Sequence, residues 1–210
     1  MDRDRSAQDL DKRGTMKSTF RPYQTEDDFW RMREFLRQVY IQNDRHATSW
    51  HVARLEYARW HCCLNCANVR LEDVAYLWEA DGQIVAFLMP DGGRGEVHLC
   101  VHPTLRNAEL EEEMLTVAED RLFAEQADGS RKLCVWSPGQ DTLRQGLLHR
   151  RGYTKAEWPE YQWRRLLDTP AADVPLAPGY TIRSLGDGLE LLERCYASGL
   201  GFHEATSRSP

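Results

Sequence analysis

EVHLCVHPTLRNAELEEEMLTVAEDRLF, residues 96–123, begins as a strand pattern and ends as a helix pattern. Polar and apolar residues alternate from Glu96 to Val101, as they do in a half-buried strand. Pro103 ends this pattern, because proline offers no N–H to a neighbouring strand. Six apolar residues then recur at helical spacing: Leu110, Met114, Leu115, Ala118, Leu122 and Phe123. A strand that leads into a helix N-terminus presents free N–H groups and the positive end of the helix dipole, so this segment is suited to bind an anion.

The six residues VHPTLR, 101–106, resemble the V-x-P-x-x-R-x-x-G-x-G/A segment of the GCN5-related N-acetyltransferases (the GNAT family). In that family the segment cradles the pyrophosphate of acetyl-CoA. The resemblance implies that acetyl-CoA is the co-substrate and that the cofactor-binding residues are Leu99, Cys100, Val101, Arg106, Asn107 and Ala108. Glu109 and Glu111 stand where the family has glycine or another small residue. Their bulk and charge predict weak binding of acetyl-CoA, although glutamates in a first helical turn also suit the helix dipole without any ligand.

Composition excludes several classes of protein. The chain has 210 residues, of which 41% are hydrophobic, enough for one packed domain and a remainder. The net charge of −6 argues against nucleic-acid binding, and no apolar stretch approaches membrane-spanning length. Residues 1–16 are mostly polar and are expected to be a disordered leader, with Met16 as a second candidate start of translation. Because no signal-peptide pattern is present, we expect a cytoplasmic location with reduced cysteines.

The order of elements in residues 17–168 predicts one α/β domain. Thr25 and Asp28 form a capping-box pattern at the start of an amphipathic helix. Asp81-Gly82, between two apolar runs, predicts a hairpin. The other predicted elements are an edge strand over 18–23, helices over 51–61, from 106 to about 129 and over 141–150, and strands over 73–79, 83–89, 132–136, 153–158 and 161–167. This order, closed by Gly152-Tyr153, resembles the GNAT fold, which implies a mixed, mostly antiparallel sheet flanked by helices.

The C-terminal part of the chain resembles its beginning. Residues 169–178 are rich in Pro, Ala and Asp and are expected to be a linker. Residues 180–185 then resemble 19–23, with Arg183 equivalent to Arg21, and an amphipathic helix follows in both places. One hypothesis is a truncated second GNAT-like repeat over 179–210, as in tandem members of the family. The other is an ordinary C-terminal strand and helix. In either case the apolar faces need a partner surface, and a homodimer is one such arrangement.

Acetyl transfer to an amine needs a base, and Glu96 at the start of the strand is the candidate. The alternative is a solvated glutamate beside Gly95. The family often protonates the leaving thiolate with a tyrosine, but Leu148 occupies that position here, so His149 is the substitute candidate. His98 and His102 share one strand face and are proton-transfer candidates as well as possible structural residues.

Residues 61–66, HCCLNC, contain a zinc-knuckle spacing, Cys63-x-x-Cys66, beside His61. A structural zinc site needs a second pair, which the chain lacks, so free thiols are expected and no metal site is predicted. Trp50, Tyr57 and Trp60 nearby either line a substrate pocket or pack in the core.

Two functions follow from this sequence. The first is an acetyl-CoA-dependent N-acetyltransferase acting on a small-molecule or protein amine. The second is a non-catalytic, degenerate GNAT-like module that binds a partner or regulates. The retained Pro103 and Arg106 favour the first, and the glutamates and Leu148 favour the second.

Overall fold

The computed structural model of the protein describes residues 18–44, 50–161, 166, 168, 170 and 174–202. Its main sheet has five strands in the order β1-β2-β3-β4-β7. The strands are β1 (Thr19–Pro22), β2 (Tyr76–Ala80), β3 (Gln83–Met89), β4 (Glu96–Val101) and β7 (Cys134–Val135), and the short strands β5 (Ala124–Glu125) and β6 (Arg131–Lys132) pair with each other. The pairs β1–β2, β2–β3 and β3–β4 are antiparallel, and β7 runs parallel to β4.

Helices cover both faces of this sheet. They are α1 (Glu26–Gln42), α2 (Val52–Tyr57), α3 (Leu71–Val74), α4 (Ala108–Arg121) and α5 (Thr142–Arg150). A further helix, α6 (Leu189–Phe202), lies in the C-terminal part of the chain. The central strand β3 is buried on both sides: Phe87 belongs to the hydrophobic cluster that contains Phe35 of α1. Leu88 belongs to the cluster that contains Met114 of α4 and Leu147 of α5. The predicted fold class, a mixed and mostly antiparallel sheet flanked by helices, is confirmed.

The N-terminal strand and helix form as predicted. β1 is an edge strand, and Thr25 and Asp28 form a capping box at the start of α1. Asp28 is buried, and its carboxylate accepts hydrogen bonds from the Arg21 guanidinium at 2.5 and 2.9 Å. Arg21 also donates to Glu79 of β2 at 2.7 and 2.9 Å. These ion pairs attach α1 to the edge of the sheet.

Predicted boundaries differ from the structure at four elements. The strand over 132–136 is divided between β6 and β7, which belong to different sheets. The helix over 51–61 comprises α2 and a π-helix, Ala58–Ala67, that runs six residues further. The strand over 73–79 begins only at Tyr76, because α3 occupies the residues before it. The helix after Arg106 ends at Arg121, since the Leu122 carbonyl accepts the Gly95 N–H at 2.6 Å and the chain turns back into the β5–β6 hairpin. Gly129, with φ +80°, lies in that hairpin turn and does not end a helix.

The chain divides into two compact units, Met1–Glu157 and Trp158–Pro210. Residues 153–158 form no strand, because their described backbone makes no ladder with the sheet. Residues 180–185 form no strand either, whereas the following helix is present as α6. The leader over 1–16, most of the strand over 161–167, parts of the linker and residues 203–210 lie outside the described residues. Among the described helices, none has the length and apolar character needed to cross a membrane.

Candidate active site

β4 has one edge that its neighbour covers only in part. β7 pairs with Glu96 and Val97 at the start of β4, whereas β3 pairs with residues 98–101 on the other edge. The His102 N–H donates to the Val85 carbonyl at 2.9 Å on the β3 side. The Trp136 N–H donates to the Val97 carbonyl at 3.2 Å on the β7 side. Since successive residues of a strand turn their N–H and C=O groups to opposite edges, the odd-numbered residues of β4 face β7.

Leu99 and Val101 therefore present their backbone N–H and C=O groups toward the β7 side. Within the described ranges, no strand pairs with them there, because β7 stops at Val135 and residues 137–140 turn away. Their side chains are buried in the cluster beneath α4 and α5. The open segment is therefore held rigidly while its polar groups remain available to an extended ligand.

The open edge leads directly into the N-terminus of α4. Asn107 is the N-cap, and its side chain accepts the Leu110 N–H at 2.9 Å. Ala108 and Glu109 follow in the first turn, both exposed. Capping at Asn107 satisfies the Leu110 N–H, one of the four N–H groups at this end that have no partner within the helix. Of the six residues predicted to bind the cofactor, Leu99 and Val101 lie on this open edge, whereas Cys100 faces Phe87 of β3. Arg106, Asn107 and Ala108 lie at the start of α4.

Arg106 is held inside an ion-pair network. Its guanidinium donates to Glu111 of α4, and to both oxygens of Asp141 at 2.6 and 2.7 Å. Arg144 of α5 donates to the same Glu111 carboxylate at 3.0 Å through two nitrogens. Glu111 is fully buried, with an exposure of 0%. Its negative charge is therefore directed into the protein against two arginines and links α4 to α5.

Glu96 lies in a cluster with Asp91 and His98. Its carboxylate accepts the Trp136 indole N–H at 2.6 Å, which fixes its orientation. The centroid of the His98 ring lies 4.5 Å from that of the Trp50 indole. It lies 5.6 Å from that of the Trp136 indole, on which the ring is stacked. Burial lowers the pKa of His98 to about 3, helped by nearby arginine charges, so its imidazole is neutral at physiological pH.

The other predicted proton-transfer groups are dispersed. His149 is exposed on the last turn of α5, and Leu148 beside it packs on the hydrophobic cluster beneath α4. His102 lies 6.4 Å from the Phe35 ring and contacts the Thr104 hydroxyl through Nδ1 at 3.0 Å. Burial lowers the pKa of His102 as well. His98 and His102 do share the α1 face of the sheet, as predicted.

The cysteines of residues 61–66 point in different directions. Cys63 is buried and its thiol lies 3.5 Å from the Gly92 carbonyl, while burial raises its pKa to about 11. Cys66 is exposed, with its sulfur 3.6 Å from His61 Nε2. The two thiols thus have different surroundings. Trp50 is a core residue, as the packing interpretation expected, whereas Trp60 is 52% exposed.

Comparison with known proteins gives a fold likeness only. No family model and no curated protein matches the chain. Solved structures similar to it include the ribosomal-protein-S18-alanine N-acetyltransferase from Escherichia coli, at 15% identity and a TM-score of 0.45 over 67% of this chain and 79% of that one. Another is the aminoglycoside N-acetyltransferase AAC(6')-Iy in complex with CoA, at 14% identity and a TM-score of 0.44 over 71% and 97%. Identities and TM-scores this low support no conclusion about function, so the function has to be inferred from the site.

Three residues of this region were not predicted from the sequence. Asp141 and Arg144 hold Arg106 and Glu111 from across the fold, and Asp91 approaches Glu96 from the turn after β3. Asp141 had a local signal, since it precedes the apolar spacing of α5 as an N-cap residue does. Asp91 had only its place in a Pro-Asp-Gly-Gly turn, which predicts a loop and no contact.

Proposed function

We propose that this protein is an acetyl-CoA-dependent N-acetyltransferase that transfers the acetyl group to an amine. The observation that carries the proposal is the open edge of β4 at Leu99 and Val101, continuous with the capped N-terminus of α4. Amide groups of an extended thioester ligand can pair with such an edge. Its phosphates would then meet the first-turn N–H groups of α4, where the helix dipole favours negative charge.

The same edge supplies the chemistry expected at the reacting carbonyl. A backbone N–H of β4 that donates to the thioester oxygen would stabilise the negative charge that develops there. The amine nitrogen attacks the carbonyl carbon, the carbon–sulfur bond breaks, and the thiolate takes up a proton. Glu96, beside the open edge, is the proposed base that removes a proton from the substrate ammonium, so that the neutral amine can attack. His149, which is exposed on the last turn of α5, is the proposed donor of the proton to the thiolate.

One observation favours the rival, a non-catalytic module. The Arg106 guanidinium, which the resemblance assigns to phosphate, is engaged by Glu111 and Asp141. We therefore assign the phosphate contact to backbone N–H groups. Arg106 is assigned to positioning the segment that connects β4 to α4. The N–H group of Ala108, at the first helical position, can be removed by substitution with proline without disturbing the helix.

The test is titration of acetyl-CoA into the protein by calorimetry, with Ala108→Pro and Ala108→Gly as a matched pair. Proline is well tolerated at the first helical position, and Asn107 before it has φ −148° and ψ 171°, as a residue before proline requires. We expect Ala108→Pro to keep its circular dichroism spectrum and lose about tenfold or more in affinity, on the order of 1.4 kcal/mol. Ala108→Gly retains the N–H and should bind like the wild type.

A wild-type protein that releases no heat and gains no thermal stability with acetyl-CoA would overturn this proposal in favour of the non-catalytic module. If acetyl-CoA binds, release of free thiol in the presence of candidate amines measures transfer. Glu96→Gln should then lower the turnover rate while leaving acetyl-CoA affinity unchanged, because the carboxylate is assigned to the amine and not to the cofactor.

We also propose that residues 180–202 are a second copy of the β1–α1 start. In the first copy, Arg21 Nη1 donates to the next carbonyl at 3.1 Å and to Asp28, seven positions on, at 2.9 Å. The Gln24 N–H donates to the same carboxylate at 2.9 Å, across four positions. These bonds tie the incoming chain to the first turn of α1.

The second copy repeats each of these bonds. Arg183 Nη1 donates to the next carbonyl at 3.0 Å and to Glu190, again seven positions on, at 2.8 Å. The Gly186 N–H donates to Glu190 at 2.6 Å, again across four positions. The agreement of three bonds at matching spacings supports a repeat more specifically than hydropathy does. In the first copy Arg21 also donates to Glu79 of β2, and within the described residues the second copy has no counterpart of that glutamate.

A further inference from the structure

Asp91, Glu96 and His98 bring three metal-ligating groups together beside the open edge of β4. Glu96 and His98 are two residues apart on β4 and therefore project from the same face of the sheet. Asp91 reaches them from the turn that follows β3. One ligand atom of each residue lies within 4.8 Å of those of the other two.

Two side-chain atoms of these residues are buried without a partner. Within the described part of the chain, Asp91 Oδ1 and His98 Nε2 make no hydrogen bond. The Asp91 side chain is only 6% exposed, and its other oxygen, Oδ2, pairs with Arg54. A buried carboxylate oxygen that lacks a donor costs considerable free energy, so native structures rarely leave one in that state. A positively charged species directed at both atoms would remove that cost.

The donor set narrows the class of cation. Ca²⁺ and Mg²⁺ take oxygen ligands, whereas an imidazole nitrogen with two carboxylates is a set that Zn²⁺ accepts. Three protein ligands that leave a fourth position open are typical of zinc sites that contact solvent or substrate. Two groups around the cluster resemble outer-shell partners of a metal site: Trp136 donates to Glu96, and Arg54 pairs with the second oxygen of Asp91.

We propose that Asp91, Glu96 and His98 bind one zinc ion. None of these three ligands comes from the cysteine segment, although the Cys63 thiol contacts the carbonyl of Gly92, next to Asp91. It does not depend on the proposed function, but it shares Glu96 with it. A Glu96 carboxylate that coordinates zinc is unavailable as a base, so zinc and the acceptor amine would compete for this residue.

The experiment uses the full chain, stripped with a chelator and dialysed against zinc, with bound metal counted by mass spectrometry and affinity measured by calorimetry. We expect one zinc per chain. Asp91→Asn removes a ligand without changing side-chain volume and should weaken zinc binding at least tenfold. His98→Gln should do the same, and circular dichroism checks that each variant is folded.

Cys66→Ser and His61→Gln are the matched controls, because they remove the other thiol–imidazole contact, at 3.6 Å, and should leave zinc affinity unchanged. Cobalt substitution gives a second readout, since a site of nitrogen and oxygen ligands lacks the thiolate charge-transfer absorption of a cysteine site. Absence of stoichiometric zinc would overturn the proposal, as would loss of zinc in Cys66→Ser with retention in Asp91→Asn. Metal content is measured without acetyl-CoA, so failure of this proposal is distinguishable from failure of the proposed acetyl transfer.

Discussion

Glu111 is a fully buried carboxylate held between two arginines, and its removal should be costly. Glu111→Gln keeps the size of the side chain but leaves Arg144, whose side chain is 7% exposed, without its charged partner. Breaking a buried ion pair from one side costs about 3–5 kcal/mol, and we expect a loss of about 3 kcal/mol here. Chemical denaturation monitored by tryptophan fluorescence measures this loss.

Glu113→Gln is the control for that prediction, since Glu113 is exposed on the same helix and the substitution removes the same charge. Its free energy of unfolding should change by less than about 0.5 kcal/mol. Equal effects of the two substitutions would show that the Glu111 network contributes nothing specific.

Asp28 should make the stability of the protein dependent on acid. The Arg21 guanidinium lowers the pKa of Asp28 from 3.8 to about 2 in the folded state. A carboxyl with a depressed folded pKa stabilises the fold above its unfolded pKa and loses that contribution as the pH falls through the folded value. The contribution of Asp28, on the order of 2 kcal/mol, should therefore be present near pH 5 and largely lost near pH 2.

The measurement compares urea denaturation of the wild type and Asp28→Asn across this range of pH, because carboxylates outside the Arg21 network titrate equally in both. The difference in the free energy of unfolding should shrink by about 2 kcal/mol on acidification. A difference that stays constant with pH would contradict the assigned pairing.

For single residues, the sequence predicted local contacts better than contacts between distant parts of the chain. Thr25 and Asp28 were found as a capping box because both partners lie within one helical turn. The link from Arg106 to Asp141 spans 35 positions and depends on how α4 and α5 pack, which no local pattern encodes. Glu111 was accordingly interpreted from the helix dipole and the ligand alone, whereas the arginines of two elements determine its environment.

Among the elements, the β2–β3 hairpin depends on the backbone conformation of two residues. Asp81 has φ +50° and Gly82 has φ +72°, the pair of positive values that a two-residue hairpin turn requires. An added Cβ at Gly82 would meet nothing within 4 Å, so Gly82→Ala tests conformation alone. We expect it to cost about 1 kcal/mol in the free energy of unfolding, because alanine is strained at this φ.

Gly139→Ala is the corresponding control in thermal or chemical denaturation. Its Cβ would also meet nothing within 4 Å, and its φ lies outside the left-handed range. The change there should stay within about 0.5 kcal/mol. If both substitutions cost the same, the turn conformation is not what stabilises the hairpin.

Elements with a strong local signal were predicted closely, and those that depend on tertiary contacts were not. β3 and β4 have the predicted bounds because their apolar patterns end at turn residues. The end of α4 is set by the Gly95–Leu122 hydrogen bond, a contact between distant segments that overrides an apolar pattern continuing past Arg121. The prediction of a strand over 153–158 was wrong for the complementary reason, because no described strand pairs with these residues.

For the whole molecule, the location of the core predicts that the first unit folds by itself. Every buried hydrophobic residue of the described chain lies between Tyr23 and Leu147. A chain ending at Glu157 should therefore keep its cooperative unfolding, with a free energy within about 1 kcal/mol of the full chain. Denaturation monitored by circular dichroism tests this, and loss of the cooperative transition would show that the second unit completes the core.

The second unit predicts self-association of the full chain. Leu189, Leu192, Tyr196 and Leu200 lie on one face of α6 and are 62–77% exposed. A contiguous apolar face of this kind marks an interaction surface, and a second copy of the chain is the proposed occupant because closed dimers are the commonest assemblies. Light scattering over a range of concentrations should show a dimer that Leu192→Glu converts to a monomer. Arg194→Glu, on the opposite side of the helix, adds more negative charge and should leave the dimer intact. A monomeric wild type, or equal effects of both substitutions, would remove α6 from the interface.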